Sequence, residues 1–147
     1  MQRHHLLPRQ ILKNAALLAM LSHLGRDRIG FDDFRHNGLL LPSSSSAARR
    51  VGLPLHRGPH RLYNAMVLDR IGQIEAEWSR AKGERPLCAE SEAIQRLLLL
   101  QRALRRRLLD SGSNRLQLNR KDPFRPGVDF RELDAMAEQL WSATGHD

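Results

Sequence analysis

The sequence is poor in the features that mark disulfide-stabilised, zinc-knuckle and membrane-spanning proteins. A single cysteine, Cys88, occurs among 147 residues, which excludes an intrachain disulfide framework and a cysteine-based zinc knuckle. The longest apolar runs, residues 15–21 and 97–100, are much shorter than the ~18 residues that a membrane-spanning helix needs. With 41% hydrophobic residues the chain is long enough to bury a sizeable core, so one globular domain is expected.

The N-terminal region has only a superficial likeness to a secretory signal. Basic residues precede the apolar run 15–21, but no small-residue cleavage site interrupts it, and Ser22 and His23 follow it. Pro8 at one end and Gly25 just past the other end instead indicate a buried helix over residues 8–24.

Positive charge exceeds negative charge, most of all in the first half of the chain. There are 24 Lys and Arg against 16 Asp and Glu, a formal net charge of +8, and nearly all of the basic residues are arginine. Residues 1–81 hold 12 basic residues against 6 acidic ones. Because the planar guanidinium group suits phosphate, this charge favours a polyanionic partner, nucleic acid ahead of anionic lipid. A solvated arginine-rich surface is the alternative.

Hydrophobic periodicity and turn residues predict a mainly helical α+β chain with a small two-stranded element. The expected elements, in chain order, are a strand over residues 2–7, the helix over 8–24, a strand over 39–41, a polar and mobile loop over 43–46, an extended segment over 53–56, and helices from about Pro59 to 81–83, over 90–110 and from Asp129 onward.

The helix that begins near Pro59 has an apolar stripe. Its members recur at intervals of three and four residues, which predicts core packing for the aromatic ones rather than base stacking. They are Tyr63, Val67, Ile71, Ile74 and Trp78.

Four of the seven histidines occur in two close pairs, His4-His5 and His56/His60. Adjacent side chains of a regular strand point to opposite faces, so His4 and His5 cannot both ligate one metal ion from such a strand. His56 before a helix and His60 in its first turn can converge on one ion. Three imidazoles with a fourth to spare suit a catalytic metal ion with open coordination positions and a separate general base.

Three motifs, in this order, resemble the HNH nucleases of the ββα-metal (His-Me finger) superfamily. They are Arg3-His4-His5-Leu6-Leu7-Pro8, then Asn37-Gly38-Leu39-Leu40-Leu41-Pro42, then Leu53-Pro54-Leu55-His56-Arg57-Gly58-Pro59-His60 followed by Tyr63-Asn64. The resemblance covers about residues 2–80 and is greatest to the AHH subgroup, often found as the C-terminal toxic domain of bacterial polymorphic toxins. This chain has Arg3 where the subgroup has alanine before the paired histidines.

The resemblance implies a role for each of these histidines. His4, His56 and His60 would hold one divalent metal ion, with Mg²⁺, Mn²⁺, Zn²⁺ and Ni²⁺ as candidates, and His5 would act as the general base that takes a proton from water. Asn37 would be a structural residue of the catalytic motif that orients His5. The residues expected to contact nucleic acid are Arg3, Arg57, Arg61 and Asn64.

The expected function is that of a metal-dependent, largely sequence-nonspecific DNA endonuclease, since the sequence shows no base-reading module. The resemblance also implies a bacterial toxin or effector domain with an acidic immunity protein as partner. It would act in the cytoplasm of the producing or target cell, after secretion without a cleavable signal peptide if it is secreted.

The expected domain organisation is a nuclease core with an inserted helix over residues 1–81 and a helical extension over residues 82–147, packed together as one compact domain. Two functional alternatives stay open. One is a catalytically silent nucleic-acid-binding or adaptor domain with a structural zinc ion, and the other is the same chemistry acting on RNA.

Overall fold

The computed structural model describes residues 1–111, 115–119, 121–123, 135 and 137–141. It confirms an α+β fold that is mainly helical and contains a two-stranded antiparallel sheet. The regular elements, in chain order, are strand β1 (Gln2–His5), a 3₁₀ helix (Arg9–Lys13), α1 (Ala15–Leu24), a second 3₁₀ helix (Arg26–Ile29), α2 (Phe34–Asn37), β2 (Gly38–Leu41), α3 (Ser45–Val51), α4 (Arg61–Ala81) and α5 (Pro86–Leu109). Residues 137–141 are also helical.

The two strands pair in antiparallel register, with His4 opposite Leu39 and His5 opposite Gly38. Because side chains alternate between the two faces of a strand, His4 is buried while its neighbour His5 is only half-buried. The ring of Phe34 covers Gly38 so closely that a Cβ atom at Gly38 would lie 2.1 Å from it. Glycine at this position therefore lets α2 fold back against the start of β2.

The hydrophobic core lies between β1, α1 and the two long helices. One face of α4 buries its apolar stripe, and Tyr63 and Trp78 are buried with it, as predicted. Helix α5 packs against α4, with Leu97 fully buried in the same core. The chain that leaves β1 joins this core through Leu6 and Leu7. Burial of each such side chain stabilises the fold by about 1.5–3 kcal/mol, so the core holds β1 firmly beside α4.

The prediction of a loop over residues 43–46 is wrong, because Ser45 and Ser46 begin α3. The side-chain oxygen of Ser44 accepts a hydrogen bond from the backbone N–H of Ala47 at 3.2 Å and so caps the helix. Serine is unfavourable inside a helix but favoured at its N-cap, and the alanines and arginines that follow are good helix formers.

The single helix predicted over residues 8–24 is divided in two. Asn14 has an extended backbone, with φ −92° and ψ 120°, and ends the 3₁₀ helix. Its side chain accepts a hydrogen bond from the N–H of Leu17 at 3.1 Å, so it serves as the N-cap of α1. Helix α1 ends just before Gly25, as predicted.

Helix α5 begins at Pro86, about one turn earlier than predicted, since proline fits the first turn of a helix. The predicted start of a last helix at Asp129 lies outside the described residues. Within the described part of the chain, no helix has both the length and the apolar character needed to cross a membrane.

Candidate active site

Three histidines from distant parts of the chain meet at one place. His4 comes from β1, His56 from the loop before α4, and His60 directly precedes α4. The ring centroids are 5.1 Å apart for His4 and His56, 4.9 Å for His4 and His60, and 5.0 Å for His56 and His60. The structure therefore brings together the three residues predicted to hold a metal ion, and we call them the histidine cluster.

Backbone and side-chain contacts place the cluster at the junction of the sheet and α4. Residues 52–60, which we call the His56 loop, carry two of the three histidines. The N–H of His56 donates to the carbonyl of Pro42 at 2.7 Å, which ties this loop to the end of β2. On α4, the Tyr63 ring lies 4.8 Å from that of His4, and its hydroxyl donates to the carbonyl of Leu6 at 2.7 Å. The loop and α4 are thus both anchored to the sheet beside the cluster.

The nitrogen atoms of His4 are buried without partners. His4 is 1% exposed, and among the described residues neither of its ring nitrogens has a hydrogen-bond partner; the same is true of Nε2 of His56. Because an unpaired buried polar atom is costly, such atoms grouped together indicate a site built for a ligand. Burial, followed by the nearby His60, His56 and His5, lowers the pKa of His4 from 6.5 to about 2, so its ring is neutral.

Two side-chain amides hold the other two rings. Nδ1 of His56 lies 3.0 Å from Oε1 of Gln2, and Nδ1 of His60 lies 3.0 Å from Oδ1 of Asn64. Asn64 in turn donates from Nδ2 to Oε1 of Gln10 at 3.2 Å, which turns its oxygen toward His60. With Nδ1–H as the donor, each ring keeps the lone pair of Nε2 available as a ligand. Burial also lowers the pKa of both histidines, which favours their neutral forms.

The histidine cluster fits a single divalent cation. Its ligand nitrogens all lie within 4.8 Å of one another. Two nitrogens bound to one tetrahedral ion at about 2.0–2.1 Å are about 3.3 Å apart, so a bound cation would draw the three nitrogens closer together. Neutral imidazoles bind Zn²⁺ and Ni²⁺ more tightly than Mg²⁺ and Mn²⁺. Three protein ligands leave coordination positions open, as in catalytic zinc sites and unlike the four-ligand structural ones.

His5 follows His4 on β1 but has a different environment. It is half-buried, and its ring meets the ring of Phe34 edge-on with the centroids 6.1 Å apart. Burial, then the guanidinium groups of Arg9 and Arg3, lower the pKa of His5 below its usual 6.5. Its ring is therefore mainly neutral at pH 7 and able to accept a proton.

Asn37 lies outside the cluster and holds the chain where it leaves β1. It is fully buried, and its Oδ1 accepts the N–H of Leu7 at 2.8 Å. Its Nδ2 donates to the carbonyls of Leu7 at 3.0 Å and Phe31 at 3.1 Å. Gln101 on α5 donates to the same Oδ1 at 3.3 Å. A positioning effect of Asn37 on His5, two residues before Leu7, stays a prediction.

The residues predicted to contact nucleic acid differ in their surroundings. Arg3, Arg57 and Arg61 are exposed, and the Arg3 guanidinium lies over the ring of Phe34 at 4.8 Å from its centroid. Asn64 uses its carboxamide within the site, as described above. Contact with nucleic acid stays a prediction for all four.

Reasoning from the sequence missed three of the side-chain amides around the site, those of Gln2, Gln10 and Gln101. Gln2 is two positions before His4, and strand alternation places both on one face, so this signal could have identified it. Gln10 and Gln101 have no such signal, because their partners lie 54 and 64 positions away in the chain.

Comparison with known families identifies the class of protein. The model of the AHH family, described as a nuclease family of the HNH/ENDO VII superfamily with conserved AHH, matches residues 1–104. The matched region contains the whole histidine cluster together with His5 and Asn37. The chain therefore belongs to the AHH family of nucleases, which confirms the resemblance read from its motifs. No match was found among curated proteins or among solved structures.

Proposed function

We propose that this nuclease is a metal-dependent endonuclease that hydrolyses DNA with little sequence preference. The observation that supports this most strongly is the convergence of the His4, His56 and His60 imidazoles, each with a lowered pKa. A fourth imidazole, that of His5, follows His4 on β1 and also has a lowered pKa. A family of nucleases acts on nucleic acid, and the net charge of +8 suits a polyanionic substrate.

In this proposal His4, His56 and His60 hold one divalent cation. When bound, the cation supplies Lewis-acid stabilisation of the negative charge that develops on the phosphate and the leaving oxygen. Gln2 and Asn64 accept the Nδ1 protons of His56 and His60 and so keep their Nε2 lone pairs available. The candidates are Zn²⁺ and Ni²⁺, which imidazole prefers, together with Mg²⁺ and Mn²⁺.

His5 is the general base. Water attacks phosphorus, the bond from phosphorus to the 3′ oxygen breaks, and the neutral imidazole takes the proton that the water loses. Burial and two nearby arginines lower the pKa of His5, which keeps its ring ready to accept that proton at pH 7. The leaving 3′ oxygen takes a proton from solvent water, so the products carry a 5′-phosphate and a 3′-hydroxyl group.

Exposed arginines next to the histidines bind the substrate. Arg3 adjoins the paired histidines, while Arg57 and Arg61 follow His56 and His60 in the chain. Contacts to phosphate oxygens fix the position of a duplex but carry no sequence information. Because the sequence contains no base-reading motif, many DNA sequences should be cleaved.

We also propose that the nuclease is the toxic domain of a bacterial effector, acting in the cytoplasm of the producing or target cell. Its basic charge would attract an acidic immunity protein at a high association rate. Residues 1–81 would form the catalytic core and residues 82–147 a helical extension of the same domain. The packing of α5 on α4 and the contact of Gln101 with Asn37 support this organisation.

Cleavage assays with several nucleic acids and metal ions test the proposal. Purified protein is incubated with supercoiled plasmid, linear duplex, single-stranded DNA and RNA, each with Mg²⁺, Mn²⁺, Zn²⁺, Ni²⁺ or EDTA. We expect metal-dependent nicking of plasmid and cleavage of linear duplex, with 5′-phosphate ends and no reaction in EDTA. Cleavage of RNA alone would change the substrate to RNA. Activity that survives chelation, or inactivity with every metal, would favour a nucleic-acid-binding domain with a structural zinc ion.

A further inference from the structure

The His56 loop needs support from outside itself. It carries two of the three clustered histidines, yet residues 53–60 belong to no helix or strand. A binding site of this kind requires its ligands to be held within about 0.5 Å of the productive geometry. The N–H of His56 is anchored at Pro42, but this single bond leaves the backbone on either side of His56 to be held by other contacts.

A segment beyond α5, of which the structure describes residues 115–119 and 121–123, supplies those contacts. Oδ2 of Asp122 accepts the backbone N–H of Leu55 at 2.8 Å. Nδ2 of Asn119 donates to the backbone carbonyl of Arg57. The residues immediately before and after His56 are thus each bound by one side chain of this segment. Both bonds connect positions more than sixty residues apart in the chain.

This segment is itself anchored to the core. Leu116 and Leu118 are buried, at 1% and 8% exposure, and the N–H of Leu116 donates to the carbonyl of Arg107 on α5 at 3.2 Å. The N–H of Asp122 donates to the carbonyl of Asn119 at 3.1 Å, which closes a turn that presents both side chains to the loop. The position of the loop is therefore coupled to α5 and the core.

We propose that Asn119 and Asp122 are positioning residues for His56, and that cation binding by the histidine cluster depends on them. Both lie beyond residue 104, where the match to the AHH family ends. The inference rests on the proposed function in one respect only, that His56 is a ligand of a cation. It assigns a role in the site to a part of the chain whose role the motifs leave open.

Binding of Co²⁺ to single variants tests this inference without any nuclease assay. Loss of a hydrogen bond to the ring of a metal-ligating histidine lowers metal affinity about 10- to 100-fold. Asp122 and Asn119 act one step further out, on the backbone beside His56, so we expect Asp122→Ala and Asn119→Ala each to weaken Co²⁺ binding, followed by its visible absorption, by about tenfold, the low end of this range. Asp122→Asn keeps an acceptor oxygen and should restore most of the affinity, whereas Asn119→Asp loses the donor and should not.

Lys121→Ala is the matched control, because this exposed side chain lies between the two positioning residues. It should leave Co²⁺ affinity unchanged. Hydrogen exchange gives a readout that needs no metal: the Leu55 amide should exchange faster in Asp122→Ala and at the native rate in Asp122→Asn. Thermal unfolding verifies that each variant is folded. If an alanine variant does not fold, Asn119→Asp, which is expected to weaken Co²⁺ binding, still tests the inference.

The outcomes separate this inference from the proposed function. Native Co²⁺ affinity and native Leu55 exchange in the folded Asp122→Ala variant would overturn the inference. Weakened Co²⁺ binding in the variants, with no cleavage of any nucleic acid by the native protein, would support the inference and refute the endonuclease. Absence of Co²⁺ binding by the native protein would refute the metal centre, and with it the dependence of that centre on Asn119 and Asp122.

Discussion

The carboxamide of Asn37 binds both backbone groups of Leu7, accepting its N–H at 2.8 Å and donating to its carbonyl oxygen at 3.0 Å. These two bonds continue the pairing of β1 and β2 beyond the last strand pair, His5 and Gly38. Because Asn37 ends α2 and directly precedes β2, one buried side chain determines where the chain leaves β1.

Replacing Asn37 by aspartate should therefore destabilise the protein. Aspartate has the same shape but cannot donate when ionised, so the carbonyls of Leu7 and Phe31 lose their donor inside the core. We expect the free energy of unfolding, measured with urea, to fall by about 2–4 kcal/mol. The exposed neighbour His36 provides the control, since His36→Ala should change stability by less than about 0.5 kcal/mol. Native stability in Asn37→Asp would contradict the stabilising role assigned to the hydrogen bonds that Asn37 donates to Leu7 and Phe31.

The two kinds of histidine should respond differently to removal. His5→Ala should abolish plasmid nicking and leave metal binding intact, because His5 is proposed to move a proton and not to ligate. His56→Ala should abolish both, since it removes one of three ligands. Nicking assays paired with calorimetric metal titration measure the difference. An equal loss of metal binding in the two variants would refute this division of roles.

Metal-free protein should lose stability as the pH falls below about 6.5. Burial and the neighbouring histidines lower the pKa of His4 from 6.5 to about 2, whereas a histidine in an unfolded chain titrates near 6.5. The unfolded state therefore binds the proton first. The stabilising contribution of neutral His4 is complete above pH 6.5 and is lost progressively toward pH 2.

Between pH 6.5 and pH 5 the expected loss from His4 is about 2 kcal/mol. His56 and His60, whose pKa values are also lowered, change stability in the same direction. Urea unfolding in EDTA from about pH 8 to about pH 5 measures the slope. The variant His4→Asn lacks the titrating ring, so its free energy of unfolding should depend less steeply on pH. Equal slopes in the two proteins would show that His4 is not the source of the pH dependence.

Gly38→Ala should disturb the surroundings of His5. The added Cβ would lie 2.1 Å from the Phe34 ring, which must then move away from its contacts with His5 and Arg3. We expect stability to fall by about 1–3 kcal/mol and kcat to fall with it. Thermal denaturation and plasmid nicking measure these effects.

Two further variants test whether the clash with Phe34 is what destabilises Gly38→Ala. Phe34→Ala removes the obstructing ring, so adding Gly38→Ala to it should cost much less than Gly38→Ala costs alone. Gly72 on α4 is the matched control: its backbone is helical, and among the described residues no atom beyond the backbone of its own helix lies within 4 Å of the place that a Cβ would take. Gly72→Ala should raise stability by about 0.5–1 kcal/mol. Equal destabilisation by the two glycine substitutions would refute the steric explanation.

Local patterns accounted for much of the fold. The stripe that includes Tyr63 and Trp78 was predictable because burial of one face of a helix needs only the helical repeat. The strand over residues 39–41 and the end of α1 before Gly25 followed in the same way from apolar runs and turn residues. The loop predicted over residues 43–46 was wrong because four consecutive serines favour a loop, whereas Ser44 is a helix cap.

The sequence by itself determined which residues face each other within one element. The alternation of His4 and His5 depends only on the geometry of a strand. His56 and His60 both lie before α4, so the helical spacing predicted for them does not apply. Only the tertiary structure decided that His4 meets the other two and that Asn119 and Asp122 hold the site. Those contacts need atoms brought to about 3 Å of each other, and separation along the chain carries no information on that distance until the core has formed.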